Sequence, residues 1–212
     1  AVVTGDVNTV NDALPTTSRV YNTLGGSYNV GTGGDFTTLT AAVAAYNGAT
    51  CITGPITFNL TNTAPYNIAN GETFPITINN QALASATNTL TIKPATGVTA
   101  SITEAVASNR LIKIVNNNYV TIDGSNNGTT SRDLTISNTS TTSPSVIWIG
   151  STGTTPIHHV TVKNAIISNG VNTSTAVIVS DGTTSGTAGY FNNITIQNNS
   201  IRKAYMGVYA IA

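Results

Sequence analysis

Val120-Thr121-Ile122-Asp123 is a four-residue phrase: an apolar residue, a threonine, a second apolar residue and a turn former. The phrase returns as Ile56-Thr57-Phe58-Asn59, Ile76-Thr77-Ile78-Asn79, Leu90-Thr91-Ile92-Lys93, Leu134-Thr135-Ile136-Ser137, Val160-Thr161-Val162-Lys163 and Ile194-Thr195-Ile196-Gln197. Successive side chains of a strand leave on opposite faces, so each copy sends two apolar groups inward and its Thr outward. Short strands of one design repeated along a chain are the signature of a repeat architecture.

A second set of strands fixes the period. Leu111-Ile112-Lys113-Ile114 resembles Val146-Ile147-Trp148-Ile149, Ala176-Val177-Ile178-Val179 and Gly207-Val208-Tyr209-Ala210, with starts 35, 30 and 31 residues apart. Each of the first three is followed by a Thr-centred strand at 120–123, 160–163 or 194–197, then by a weaker strand at 134–137, 166–168 or 200–202. Three strands per turn at a period of about 30–35 residues predict an all-β fold, a right-handed parallel β-helix. Asn116-Asn117-Asn118, Asn126-Asn127 and Asn198-Asn199 are expected at its corners, stacked as ladders.

Upstream, Phe36, Leu39, Val43 and Tyr46 follow helical spacing and predict a capping helix over 36–46. Asp35 or Thr37 is the expected N-cap, and Asn47-Gly48 the stop. The Gly-rich run before this helix contains neither GxxxxGK[ST] nor GxGxxG, so it is no phosphate loop. Residues 1–24 are polar and aperiodic and read as a leading arm or linker; the β-helix occupies 25–212. The sequence stops on the strand Met206 to Ala212, so further rungs or a covering partner are expected beyond residue 212.

Apolar residues make up 40% of the chain and charged residues 8%, against a usual charged fraction of about 25%. Solubility therefore rests on Thr, Ser, Asn and Gly, a surface that suits a secreted or cell-surface location. Net charge is zero and the bases are scattered, which excludes the clustered Lys and Arg of a nucleic-acid binder. No run approaches the roughly 20 apolar residues of a membrane span. Cys51 is the single cysteine and reads as a small buried apolar residue.

Two stretches carry a family resemblance. Tyr28-Asn29-Val30-Gly31, leading into Gly34-Asp35-Phe36-Thr37-Thr38-Leu39 and Ala41-Ala42-Val43, resembles the strand and helix that open pectin-lyase-like β-helices. Tyr119-Val120-Thr121-Ile122-Asp123-Gly124, running on to Asp133-Leu134-Thr135-Ile136, resembles repeat regions of large secreted surface proteins of Bacteroidetes. The resemblance implies the fold over about residues 25–212. It leaves the activity open, because this scaffold carries lyases, esterases, hydrolases and adhesins alike. The Asn-Thr-Asp, Asp-Asp, Gly-His-Gly and Arg-Ile-Lys motifs of polygalacturonase-like relatives are all absent, as are the Gln-Asp-Thr and Asp-Phe-Ile-Phe-Gly motifs of pectin methylesterases.

The acids are Asp6, Asp12, Asp35, Glu72, Glu104, Asp123, Asp133 and Asp181. Glycoside hydrolysis needs two carboxyls roughly 5–10 Å apart, but in the repeat alignment Asp123 meets Lys163 and then Gln197, giving a solvated ion pair. Asp133 and Asp181 fall in turns, where Asp bonds its own backbone. His158 and His159 are adjacent in a strand and are expected on opposite faces, unable to share a metal. No catalytic residue, metal site or cofactor is expected.

One outward row is apolar: Lys113, Trp148, Ile178 and Tyr209, beside Leu111, Val146, Ala176 and Gly207. Exposed apolar strips mark contact sites, and aromatic rings stack on sugar faces. Lys113, Trp148, Ile178 and Tyr209 are therefore the candidate binding residues for a polysaccharide or cell-surface ligand, unless the loop from Thr183 to Tyr190 folds over them. The expected function is a non-catalytic extracellular scaffold or adhesin segment. The alternative is a polysaccharide lyase or glycoside hydrolase whose active site lies outside this segment. A third expectation, ice binding by Thr121, Thr161 and Thr195, is opposed by Asp123 and Lys163 beside them.

Overall fold

The computed structural model describes residues 22–212. Its strands are β1 (Thr23–Val30), β2 (Cys51–Leu60), β3 (Ile76–Ile78), β4 (Leu90–Pro94), β5 (Ala100–Glu104), β6 (Ile112–Val115), β7 (Val120–Asp123) and β8 (Leu134–Asn138). They continue as β9 (Ile147–Ser151), β10 (Ile157–Lys163), β11 (Ala165–Ser168), β12 (Val177–Asp181), β13 (Phe191–Gln197), β14 (Ser200–Arg202) and β15 (Val208–Ala210). A single α-helix, α1 (Leu39–Asn47), lies between β1 and β2.

The strands wind into a parallel β-helix with three sheets. The first has the order β1-β2-β4-β7-β10-β13, the second β14-β11-β8-β5 and the third β15-β12-β9-β6-β3. Each sheet takes one strand per turn, every strand pairing is parallel, and the register is continuous except for a shift between Leu24 and Gly26 where β1 pairs with β2. In the first sheet Tyr28, Phe58, Ile92, Ile122, Val162 and Ile196 form one column pointing into the coil. Inward columns of Ile, Val and Leu line the other sheets, for example Ile78, Ile114, Ile149 and Val179, and Ile102, Ile136 and Ile167. Most of these side chains are fully buried in one continuous core.

The strands expected from the repeats are all present, and the three sheets follow the order read from the sequence. β5 was not expected: its inward residues are Ala100 and Ile102, too weak a pattern to stand out. β1 begins at Thr23, so Thr23 and Leu24 belong to the coil and not to a leading arm; residues 1–21 lie outside the described residues.

The helix starts at Leu39, three residues later than expected, with Thr38 as N-cap in place of Asp35 or Thr37. Phe36 precedes it, bridging Val30 and packing its ring against Tyr28 and Phe58. Asp35 accepts the Asn29 N–H instead. Leu39, Ala42, Val43 and Tyr46 are buried, and Gly48 ends the helix as expected.

Both helix ends are held by side chains from about thirty residues downstream. The Glu72 carboxylate accepts the Leu39 and Thr40 N–H groups at 2.7 Å each, so a buried anion meets the positive end of the helix dipole. Gln81 Nε2 donates to the Tyr46 and Ala49 carbonyls at 2.8 and 3.1 Å. Asn47, the last helical residue, acts as a surrogate strand for the edge of the third sheet. Its Nδ2 donates to the Thr77 carbonyl (2.8 Å), and its Oδ1 accepts the Asn79 N–H (3.0 Å). An uncovered parallel edge is a template for pairing with another chain, and Asn47 occupies this one.

The Asn ladder forms at one corner, between the first and second sheets. Asn198 Nδ2 donates to Asn164 Oδ1 (2.8 Å) and Asn164 Nδ2 to Asp123 Oδ1 (2.7 Å). The other expected corners are built differently. Asn117 bonds the Tyr46 hydroxyl inside the coil, and Asn126 bonds the Val98 carbonyl.

Asn47→Ala removes both surrogate bonds while leaving the core intact. It is expected to destabilise the fold by about 1–3 kcal/mol and to raise the aggregation rate by exposing the edge of β3. Chemical denaturation and light scattering check the two effects; an unchanged aggregation rate would contradict the edge-blocking role.

Candidate functional site

The outward row of the third sheet forms in the register read from the sequence. Lys113 pairs with Trp148, Trp148 with Ile178 and Ile178 with Tyr209, with Thr77 completing the row beside Lys113. Its environment differs from an exposed strip, because Trp148 is only 3% exposed. The Arg110 guanidinium carbon lies 3.9 Å from the indole centroid and the Lys113 ammonium 4.2 Å from it. The indole N–H donates to Ser180 Oγ at 3.0 Å, so its polar edge is satisfied by protein. Lys113, Ile178 and Tyr209 remain half-exposed.

The neighbouring row Leu111, Val146 and Ala176 is not outward at all; each side chain is fully buried. The chain bends into the sheet at this corner, and the Leu111 and Ile112 N–H groups share the Val146 carbonyl. Two successive residues then face the interior, and the period-two alternation that placed Leu111 outside is interrupted. The expected apolar face is reduced to half-exposed residues around a covered indole.

The segment after β12 closes over the same side. A Cβ on Gly150 would stand 2.4 Å from Gly182 Cα, and one on Gly189 2.5 Å from the Ser180 carbonyl carbon. The backbone can make this turn only because those positions carry no side chain. Its start is held by Asp181, whose carboxylate accepts the Thr183 hydroxyl and the Thr183 and Thr184 N–H groups at 2.5, 2.8 and 3.0 Å. Those bonds, the Thr183 hydroxyl foremost, hold its pKa below the usual Asp value.

Two cations over one indole have a cost that the charges themselves register. Burial pushes the Arg110 pKa down, and burial, followed by the Arg110 charge, pushes Lys113 down. Arg110 Nε is buried without a hydrogen-bond partner. Arg110 escaped the sequence reading because it stands outside the strand repeat. The available signal was its position one residue before the first copy, beside the column that holds the only tryptophan.

Every carboxylate among the described residues bonds to its own surroundings. Asp35 and Glu72 hold β1 and α1 as above, and Glu104 accepts the Ile68 and Ala105 N–H groups, both at 2.9 Å. Asp133 accepts the Asn126 N–H (3.0 Å) and the Ser131 hydroxyl (2.6 Å), a turn bond of the kind expected. Asp123 pairs with Lys163 at 3.2 Å, as the register required. It is more enclosed than a solvated surface pair, at 9% exposed, and also accepts the Ser125 N–H and the Asn164 amide. Asp6 and Asp12 lie outside the described residues. Among the described residues, no three His, Cys, Asp or Glu side chains converge as a metal cluster.

His158 and His159 are not on opposite faces. His159 takes a left-handed φ of 55°, as do Tyr119 (56°) and Asn193 (49°) at the same corner of the neighbouring rungs. The strand alternation fails there, and the two Nδ1 atoms stand 2.8 Å apart. On the first sheet, Thr57, Thr91, Thr121, Thr161 and Thr195 form an uninterrupted outward column, continued by Ser27. Asp123 and Lys163 flank it, as expected.

No family model matches the chain, and neither a curated protein nor a solved structure matches it significantly. Among the described residues, no helix is long and apolar enough to cross a membrane.

Trp148 fluorescence is expected to peak in the range of a buried indole and to resist quenching by iodide. Trp148→Ala is expected to cost about 3–5 kcal/mol, the range for losing a buried aromatic side chain, with the loss read by denaturant titration. A water-exposed emission maximum would contradict the covered indole.

Proposed function

We propose that this chain is a non-catalytic extracellular scaffold, an adhesin-like segment of a secreted or cell-surface bacterial protein. One observation carries the reading: every carboxylate among the described residues is committed to a backbone N–H, a structural side chain or an ion pair. General acid–base chemistry needs a carboxyl free to exchange its proton with a substrate. Here those groups cap turns, tie rungs together and anchor the helix. The low charge and the Thr-rich outer columns favour the same reading, as does the resemblance to surface-protein repeats of Bacteroidetes.

A continuous parallel coil resists bending because each turn is bonded to the next along three sheets. Such a rod holds whatever it carries at a fixed distance from its attachment point. In this reading the ligand-facing area is the outer side of the third sheet, where Lys113, Ile178 and Tyr209 present a cation, an aliphatic group and a phenol. Trp148 stands in the same row between Lys113 and Ile178, with the Lys113 ammonium over its ring. A single aromatic contact contributes on the order of 1 kcal/mol, so firm attachment to a polysaccharide or cell surface depends on many copies acting together.

Incubation with polygalacturonate and neutral polysaccharides is expected to release no reducing ends and no unsaturated products. Asp123→Asn and Asp133→Asn are expected to leave that baseline unchanged. Turnover that disappears in either variant, with circular dichroism intact, would replace the scaffold by an enzyme. Tyr209→Ala is expected to weaken retention on a glycan-coated surface about fivefold, which corresponds to about 1 kcal/mol. Equal retention of variant and parent would remove this row as the contact.

A further inference from the structure

We propose that His158 and His159 form a two-nitrogen chelate for a late first-row transition-metal dication, with Cu²⁺ bound most tightly. The corner conformation turns both imidazoles to one side, with Nδ1 facing Nδ1 at 2.8 Å. Two nitrogens bound to one metal at about 2.0–2.1 Å stand roughly 2.9–3.4 Å apart, depending on the angle at the metal. The pair therefore needs to open by only a few tenths of an ångström. Imidazole suits Cu²⁺, Ni²⁺ and Zn²⁺, and at a given site Cu²⁺ is favoured among these.

The rings are held in place before any metal arrives. Tyr119 stacks on His159 with centroids 4.7 Å apart and planes 11° from parallel, and also meets His158 edge-on at 5.2 Å. The His158 backbone N–H donates to Asn118 Oδ1 at 2.8 Å. On the opposite side of His159, the Asn193 Nδ2 lies 3.4 Å from Nε2. An Asn amide serves either imidazole tautomer, because turning it over presents oxygen in place of nitrogen. With oxygen facing an Nε2–H, the proton resides on Nε2 and the Nδ1 lone pair is left for the metal. With its amide turned over, Asn193 is thus a positioning residue, its oxygen taking the place of the carbonyl or carboxylate that usually accepts the second ring N–H of a metal-bound histidine. His159 is exposed and His158 half-exposed, so an ion reaches them from solvent and water completes its coordination.

The experiment is calorimetric titration of the tag-free chain with CuCl₂ and, separately, ZnCl₂, with electron paramagnetic resonance of the Cu²⁺ form. The expected result is one Cu²⁺ per chain, bound at least tenfold tighter than Zn²⁺, with hyperfine structure from two nitrogens. His158→Gln and His159→Asn are each expected to lower Cu²⁺ affinity at least tenfold. His159→Asn suits the left-handed backbone, since Asn193 already occupies the equivalent position. Asn193→Ala is expected to weaken binding roughly tenfold, and Cys51→Ser to leave it unchanged. Cu²⁺ binding that survives both histidine variants, or the absence of saturable binding in the parent chain, overturns the proposal.

Discussion

The in-register parallel hydrogen-bond ladder is the constraint on which the rest of this structure depends. Each strand bonds to the equivalent strand one turn away, about 4.8 Å distant, so each side chain is placed directly above its counterpart. A residue tolerable once must then be tolerable as a stack. Ile, Val and Leu satisfy that condition inside and Thr satisfies it outside. Charged side chains do not, because like charges would sit one rung apart. The rarity of charge in the sequence is a direct consequence, and the outward Asp123–Lys163 pair shows the permitted exception, opposite signs in neighbouring rungs.

The same ladder creates the edge that the helix has to close. A parallel sheet has no hairpin to hide its last strand, so β3 would present unpaired groups to any passing chain. Asn47 meets them with a side-chain amide, which offers one donor and one acceptor in the spacing of a peptide. For that amide to be in place the helix must be fixed, and Glu72 and Gln81 fix it from the segments on either side of β3. Helix and coil are consequently one cooperative unit.

Where register dominates, the sequence is transparent. The seven copies of the apolar-Thr-apolar phrase all became strands, and Ile122, Val162 and Ile196 share a column because no other register buries them all. The row Lys113, Trp148, Ile178 and Tyr209 was legible for the same reason. The corners were not. Leu111 turned inward, the helix began late behind the bridging Phe36, and His159 turned to its neighbour's side. At Leu111 a bend and at His159 a positive φ broke the two-residue alternation, and at the helix the strand bridge to Val30 took Phe36 out of the helical pattern. Arg110 shows a second limit: one of the two cations over Trp148 comes from outside the strands, and strand periodicity contains no information about it.

Those two limits meet in the question of what the molecule does. Regular positions are shaped by the demands of stacking, so they are poor places to hold an unshared group. Irregular positions escape that demand, because a corner residue need match only its immediate neighbours. Tyr119, His159 and Asn193 occupy equivalent corner positions in three successive rungs, yet they are three different side chains. A left-handed φ in a non-glycine residue costs conformational energy at each of them. That cost is met by the ladder above and below, which fixes the corner whatever the side chain. The coil thereby holds open a series of positions with fixed backbone geometry and free choice of chemistry. The histidine pair lies in that series, whereas the carboxylates are spent on keeping the coil wound.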